Sequence, residues 1–536
     1  MSKFWLYKTN LKNAILGIYI YSIFVELKFR GVFVKMSTNI NLLGINLAGG
    51  ITLGVAFVAL LLLLVMYSVW GISRVLSIPN NKTVTDVKMG RMSVKTVIAF
   101  IFVVGILVRV ATALLFVEKN NYTDVLLNQF NTYKDQGFKG FQLGDRSNTF
   151  YPLAYLINGL FGTFGNLFGS ETLLAFSLRL PLIIADVCSA VILYFIARKY
   201  INKQVATIVS ALFLLNPMFY FNSSMAGQLN SLLTLSLLIT FYFMATRRTF
   251  WMLFFYGVSL MIHRDAQILL VPMAVYSIYL IVRSYLAIRR EGRSGMKSDA
   301  TKNGVWVVPV SIIGVFAIMW LVCLPFVANS MGYNPFKFLN TAYIQMLKTY
   351  DNYGVDALSL YNIFLRNGEV TAVTFPALQF GIVFLVLATL ISVILFLSKR
   401  NRANMVLIAS FVMFTIGIYF INFTASTLVP SVAVLLLSYV FIKDRRLLKI
   451  YALMSICVVL NMLASVVKND LLNAGFGFVI NVTLSVIVML VHIYFTIVVL
   501  DICMSSNIVA LNTDPEITFS QANKNWLRIR RQRAME

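Results

Sequence analysis

Between two apolar stretches, residues 118 to 150 carry Asp124 and Asp145 in a chain with only 20 acidic residues among 536. A carboxylate placed where an apolar helix ends and water begins can take a proton from a hydroxyl group, so Asp124 is the first candidate for a general base. Asp145 has Arg146 beside it; it reads as a surface pair worth about 0–1 kcal/mol or as a second acid touching a bound substrate. Asp186 lies inside an apolar run, where an ionisable group costs roughly 2.5–3.5 kcal/mol on insertion scales. It is expected to face a protein interior, toward Arg179 of the same run. Arg109 invites the same reading, as an internal partner or as part of an anion site. Cys188, Cys323, Cys457 and Cys503 stand in apolar runs without paired spacing, so they read as small core residues. With only two histidines, His263 and His492, the chain offers no cluster at metal-ligand spacing. A phosphate-cradling glycine loop followed by lysine and a Gly-x-Ser-x-Gly elbow are both missing, which argues against nucleotide hydrolysis and acyl-serine chemistry.

The elements that must position these side chains follow from composition. With 59% hydrophobic and 12% charged residues and a mean hydropathy of +0.81, the chain has too much apolar surface for a water-soluble globule. A hydrocarbon core of roughly 30 Å needs about 20 apolar residues per helical crossing. Such runs predict about thirteen crossings, at 51–72, 95–117, 171–198, 204–217, 228–246, 250–263, 267–288, 304–328, 374–398, 403–421, 427–442, 447–466 and 473–500. The expected fold class is therefore an all-α polytopic membrane protein. The expected organisation is an N-terminal segment 1–50, a transmembrane domain 51–500 with long loops 118–150 and 328–372, and a basic tail 501–536.

A net charge of +25 could point to nucleic acid, but the basic residues sit in short connections rather than on one soluble face. Arg198, Lys199 and Lys203; Arg247 and Arg248; Arg283 through Lys302; Lys399, Arg400 and Arg402; and Lys443, Arg445, Arg446 and Lys449 mark alternate connections as cytoplasmic. The loops 118–150, 217–229, 328–372, 422–426 and 467–472 then face outward, and no nucleic-acid partner is implied. His263 and Arg264 fall at an outward helix end, where a cation suits a lipid phosphate but snorkelling explains it equally well. Phe219 to Phe221 read as an interfacial aromatic belt. The shortness of 204–217 and 250–263 suggests helices that stop at a water-filled cavity. Residues 13–29 are apolar but contain Glu26, and could cross, lie in the interface or stay unordered; Met36 offers a second start.

Four stretches then resemble a known family. Leu178-Arg-Leu-Pro-Leu-Ile-Ile-Ala-Asp186, continuing to Leu193-Tyr-Phe-Ile-Ala-Arg198, is similar to the second major helix of bacterial multi-pass glycosyltransferases related to the GPI mannosyltransferase II group. These belong to the wider C-type superfamily, with the enzymes that use polyprenyl-phosphate sugars. Asn216-Pro-Met-Phe-Tyr-Phe-Asn222-Ser-Ser-Met-Ala-Gly227-Gln228-Leu-Asn230-Ser231 resembles that family's Asn-Pro … Asn-Ser … Trp-Gly-Gln-x-Asp-Ser segment. Tyr350-Asp-Asn-Tyr353-Gly-Val-Asp-Ala-Leu-Ser-Leu-Tyr-Asn362-Ile-Phe resembles its Tyr-x-x-Val-Asn-Ala-Phe-Asn-Leu-Trp stretch. Leu428-Val-Pro430 through Lys443-Asp-Arg-Arg446-Leu-Leu resembles its Leu-Phe-Pro-Ala-Leu helix and basic turn. The four occur in the family's order.

The resemblance implies transfer of a hexose, mannose among the choices, from a polyprenyl-phosphate donor on the outer face of a bacterial cytoplasmic membrane. The acceptor would be a glycan, lipid or protein, the donor would lie among membrane lipids, and no cofactor or metal is called for. An acid in the first outer loop serves this family as base, and Tyr122-Thr-Asp124 is the matching segment. Phe150-Tyr151-Pro152-Leu-Ala-Tyr155 closes the loop like the family's Asp-Tyr-Pro-Pro-x-Tyr. By position, Tyr151, Gln228, Asn230, Arg264, Tyr353 and Asn362 become candidates for sugar or phosphate contacts.

The sequence also departs from the pattern. Trp-Gly-Gln-x-Asp becomes Ala226-Gly-Gln-Leu-Asn230, and Lys-Pro-Gln becomes Arg264-Asp265-Ala266. His-Glu-Arg-Tyr becomes Thr424-Ala425-Ser426-Thr427, removing three groups that could hold a phosphate or move a proton. Arg264, Lys348 or Arg366 could supply the cation instead. Two other readings therefore stay open: an inactive paralogue that binds a lipid-linked glycan or assists a partner enzyme, and a glycolipid or polysaccharide transporter. A transporter needs its ionisable groups near the midplane, which favours Asp186, and an enzyme needs them at the outer rim, which favours Asp124. The lack of inverted sequence halves argues against the transporter.

Overall fold

The computed structural model describes residues 94–115, 121–140, 151–295, 304–327, 358–360, 370–398, 401–420, 425–467 and 474–504. The N-terminal segment 1–50, the crossing expected at 51–72, Asp145, Tyr353, Asn362, most of the loop 328–372 and all but the first four residues of the tail 501–536 lie outside them. The described residues form helices and turns, with no strand among them. In chain order the helices are α1 Val94–Leu115, α2 Asn121–Gln136, α3 Pro152–Asn166, α4 Glu171–Tyr200, α5 Lys203–Leu214, α6 Asn230–Ala245 and α7 Thr249–Ile262. They continue as α8 Leu270–Gly295, α9 Val307–Val327, α10 Val370–Ser398, α11 Arg402–Tyr419, α12 Leu428–Ile442, α13 Arg445–Val467 and α14 Ala474–Met504.

Every crossing expected from residue 95 onward coincides with a helix. Among the described residues nine helices are long and apolar enough to cross a membrane, ten if the bent pair Lys203–Leu214 and Pro217–Met225 is one span; α6 and α7 are shorter apolar helices. The chain is an all-α polytopic membrane protein. Burial sorts the helices: the apolar window Ala425–Ile442 around α12 is 100% buried and that of α11 94%, whereas those of α1 and α9 are 22% buried. Phe100, Leu107, Ile313 and Phe316 are exposed apolar side chains on α1 and α9, the faces that lipid tails solvate as readily as a neighbouring helix would.

Helix ends of one predicted side lie together. Tyr200 at the end of α4 donates through its hydroxyl to the Ala245 carbonyl at the end of α6, and Arg402 at the start of α11 donates to the same carbonyl at 3.1 Å. Ser398 Oγ meets the Cys503 carbonyl at 3.0 Å, and Arg446 closes on both Asp444 and Asp501 at 2.7 Å. These are the ends that the basic connections assign to the cytoplasm.

Two helices stand where the sequence suggests a loop or nothing. α2 occupies the acidic stretch and buries Leu126 and Phe130, four residues apart on one helical face. α3 starts on Pro152, whose missing N–H costs nothing in a first turn. Its Gly159 and Gly162 face α2: a Cβ on Gly159 would stand 2.8 Å from the Tyr133 ring, and one on Gly162 2.1 Å from the Phe130 ring. The glycines that weaken α3 as an isolated helix are what let α2 lie against it. We predict that Gly162→Ala forces the Phe130 ring aside and destabilises the protein by about 1–3 kcal/mol, the usual cost of overpacking. Thermal unfolding in detergent checks this; an unchanged midpoint would mean that α2 is not seated on α3.

Candidate functional site

Asp124 lies in the first turn of α2 with its side chain exposed. Its neighbour Thr123 points the other way, buried, and its Oγ1 accepts from Arg179 Nη2. Arg179, on α4, is fully buried and also donates through Nη1 to the Ala113 carbonyl at 2.9 Å, near the end of α1. On its remaining side lies Gly227. A Cβ there would be 2.6 Å from Leu126 and 3.7 Å from Arg179 Nε, and its φ of 62° suits a residue without one. One guanidinium thus bonds the end of α1 and the acid-bearing helix, and Gly227 packs against it. Below Asp124, Asn158 donates to the Leu126 carbonyl at 3.2 Å, and Leu126, Phe130, Tyr155, Leu178, Met261 and Phe326 form the apolar floor under α2.

The shape of the Asn216–Asn230 segment follows from its residues. Pro217 cannot continue the hydrogen bonding of α5, and Asn216 caps the new turn by accepting from the Met218 amide at 3.0 Å. Its amide nitrogen is fixed by the Tyr451 hydroxyl and Ser455 Oγ, both at 2.8 Å. The chain bends by 45° there and runs through a π-helical turn, Phe221–Met225. This turns Phe219, Tyr220 and Phe221 inward, at 1%, 2% and 0% exposure. They are packed core and not the expected interfacial belt: Phe219 stacks on Phe213 at 3.9 Å. Tyr220 Oη, Asn222 Oδ1, Gln228 Oε1 and Asn230 Oδ1 are buried without a hydrogen-bond partner among the described residues. Leaving such a group unsatisfied costs about 1–3 kcal/mol, so this concentration marks a place suited to an incoming polar ligand.

Beneath it lies a fixed ion pair. Arg109 Nε meets Asp186 Oδ2 at 3.1 Å with both side chains fully buried, and Arg109 Nη1 also donates to the Leu214 carbonyl at 2.6 Å. Contrary to the expectation from sequence, Asp186 turns to Arg109 and not to Arg179. The two are seven residues apart on α4, about 10 Å along the axis at 1.5 Å per residue, too far to meet. The other carboxylate oxygen, Asp186 Oδ1, is buried without a hydrogen-bond partner among the described residues.

A second rim is built where α7 gives way to α8. Tyr151, directly before α3, has its hydroxyl bonded by Gln267 at 2.9 Å. Between the helices a 3-10 turn, Arg264–Leu269, carries Asp265, fully buried, with His263 Nδ1 at 3.5 Å and Arg264 Nε at 3.6 Å. Part of the Arg264 charge is thereby directed at an internal carboxylate. Thr427 belongs to the stretch that replaces the family's His-Glu-Arg-Tyr and is buried. Burial, together with Tyr133, pushes the Tyr155 hydroxyl up to about 12, so it stays a donor at neutral pH, to the Gly137 carbonyl at 3.0 Å.

Of the predicted site residues, Asp124 follows Thr123, which bonds Arg179, and Gln228 follows Gly227, which packs against the same arginine, with Asn230 two residues further on. Tyr151 and Arg264 belong to the Gln267–Asp265 rim. Arg179, Thr123, Asp265 and Gln267 were not among the predicted contacts. Arg179 carried a signal, an arginine in an apolar helix, which the sequence reading assigned to Asp186.

Residues 154–295 match the family model of the dolichyl-phosphate-mannose-protein mannosyltransferases, a match that supports a multi-pass C-type glycosyltransferase family for this chain. The matched span takes in α3, the Arg179 helix, the bent Asn216–Asn230 segment and the Asp265 turn. No curated protein matches the chain.

Proposed function

We propose that the protein transfers a hexosyl group, mannosyl among the choices, from a polyprenyl-phosphate donor to a hydroxyl of a glycan, lipid or protein acceptor at the outer face of a bacterial cytoplasmic membrane. The observation that supports this is that the helix bearing the exposed Asp124 is tied through Thr123 to the buried Arg179, against which Gly227 of a segment rich in unpartnered buried polar atoms packs. Asp124 takes the proton of the acceptor hydroxyl as its oxygen bonds to the anomeric carbon. The bond from that carbon to the lipid phosphate breaks, and its electron pair leaves on the phosphate oxygen. Gln228 and Asn230 fit contacts to sugar hydroxyls. Tyr151 and Arg264 line the neighbouring rim, and Tyr353, Asn362 and Asp145 complete the set by position in the sequence. The reaction as written calls for no cofactor.

One observation favours a second reading, a glycolipid-binding protein without turnover. Where the family pattern places His-Glu-Arg-Tyr, this chain has Thr424-Ala425-Ser426-Thr427, which offers no cation to an anionic phosphate. Membranes containing the wild-type protein, supplied with a panel of labelled polyprenyl-phosphate sugars, separate the two. Transfer to an acceptor supports the enzyme. Saturable retention of a labelled glycolipid without transfer supports the binding protein, and neither result would overturn both.

A further inference from the structure

α3 is 15 residues long, about 22 Å at 1.5 Å per residue, which is too short to cross a hydrocarbon core of roughly 30 Å. No residue from Pro152 to Ser170 carries a charge. One side of the helix packs on protein: Gly159 and Gly162 receive α2, and a Cβ on Gly165 would stand 2.5 Å from that of Ser177 on α4. The other side is apolar and exposed. Leu160, Phe164, Leu167 and Phe168 are 52–76% exposed, spaced i, i+4, i+7 and i+8 so that they fall on one stripe that continues into the turn after the helix. The Phe164 and Phe168 rings meet edge to face with centroids 5.4 Å apart. Thr163 and Asn166, also exposed, border the stripe on one edge.

Both ends of α3 are tied to the Asp124 end of the bundle. Tyr151, directly before α3, is bonded by Gln267 just ahead of α8, and Ser177, in the second turn of α4, donates to the Phe161 carbonyl at 2.6 Å. A short helix fastened at both ends to the starts of two spanning helices runs along their rim and not down through the bundle. Contiguous exposed apolar residues mark an interaction surface, and the partner that fits this one is lipid. The stripe has no charge to offer a protein, and it continues the lipid-facing surface of α9, on which α3 packs and whose Ile313 and Phe316 are exposed. The polar layer above it is α2, which exposes Asp124, Asn128, Asn131, Lys134 and Asp135. Apolar below and polar above is the arrangement that settles about 5–10 Å into the headgroup–acyl boundary.

We propose that α3 is an interfacial anchor: its Leu160–Phe168 stripe lies in the leaflet at the Asp124 end of the bundle, just beneath the phospholipid headgroups, and holds α2 in place above it. The full-length protein, with Cys188, Cys323, Cys457 and Cys503 replaced by alanine, is spin-labelled at L160C, F164C or F168C and reconstituted into phosphatidylethanolamine–phosphatidylglycerol vesicles. Power saturation compares collisions with oxygen, which concentrates among acyl chains, and with a water-soluble nickel chelate. The oxygen-to-nickel ratio at all three positions exceeds that at D135C on α2 by about threefold or more, and stays below that at F316C in the middle of α9. A ratio equal to that at D135C puts the stripe in water. Labels shielded from both reagents put it under protein, of this chain or another, and a ratio matching F316C puts it deep in the bilayer; each of these three results overturns the anchor. F164W in the protein with its native cysteines, quenched by acyl-brominated lipid beyond the quenching of the six native tryptophans, gives the same reading without the alanine replacements. The hold on α2 is read with the label at D135C: L160Q/F164Q/F168Q sharpens its spectrum toward a mobile label, and an unchanged spectrum overturns that part of the proposal. Thermal midpoints verify folding, F164Q alone replaces the triple variant if the latter does not fold, and sugar transfer enters none of these readouts.

Discussion

If the proposed transfer is catalysed with Asp124 as base, Asp124→Asn is expected to lower it by about 10² to 10⁴-fold, the range over which a positioned general base contributes. The amide has the size of the carboxylate but cannot accept the acceptor's proton, so the loss falls on turnover rather than on donor binding. Folding should survive, because the side chain is exposed and surface substitutions usually change stability by less than about 0.5 kcal/mol. An acid in a helix first turn adds only about 0.3–1 kcal/mol through the helix dipole. Asp135, exposed at the far end of the same helix, provides the control: Asp135→Asn leaves transfer unchanged. Steady-state kinetics with the donor that the panel identifies read both variants. If Asp124→Asn turns over at the wild-type rate, the base lies elsewhere and the Thr123–Arg179 contact only anchors α2.

The second large effect concerns stability. Arg109→Met or Asp186→Leu, made singly, strands the other charge in a fully buried position and is expected to destabilise the protein by about 3–5 kcal/mol. The double variant Arg109→Met/Asp186→Leu leaves no buried charge, and replacing both members of such a pair is often neutral or better. It should therefore recover most of the loss, less the bond from Arg109 to the Leu214 carbonyl. Unfolding in detergent followed for the four proteins gives the coupling directly. Single losses that simply add in the double variant would show that the pair is not a unit. The same measurement bears on the transporter reading, since it tests whether the fully buried Asp186 carboxylate is locked to Arg109 at 3.1 Å as a structural pair.

What the sequence by itself determined is the helical, membrane-embedded architecture. Hydrocarbon solvates apolar side chains but no backbone polar group, so each long apolar run is obliged to be a helix whatever its neighbours do. Basic connections then order the helix ends, and the ends so grouped do meet at Tyr200, Ala245 and Arg402. Hydropathy also marked the end of the apolar run at 217, where Pro217 supplies no backbone donor.

Only the tertiary structure decided what the polar residues face. α2 is too polar and α3 too rich in glycine to be read as helices alone; each is stabilised by the other, through Phe130 and Tyr133 against Gly162 and Gly159. The partner of Asp186 was a choice between two arginines, and helix rise settled it for Arg109. The inward turn of Phe219–Phe221 depends on a 45° bend that no hydropathy pattern encodes. The bond from Arg179 to Thr123 joins residues 56 positions apart. Local physics fixes which segments are helices, because lipid demands it of each segment independently. Which side chains then share a site is a property of packing between segments, and no single segment carries it.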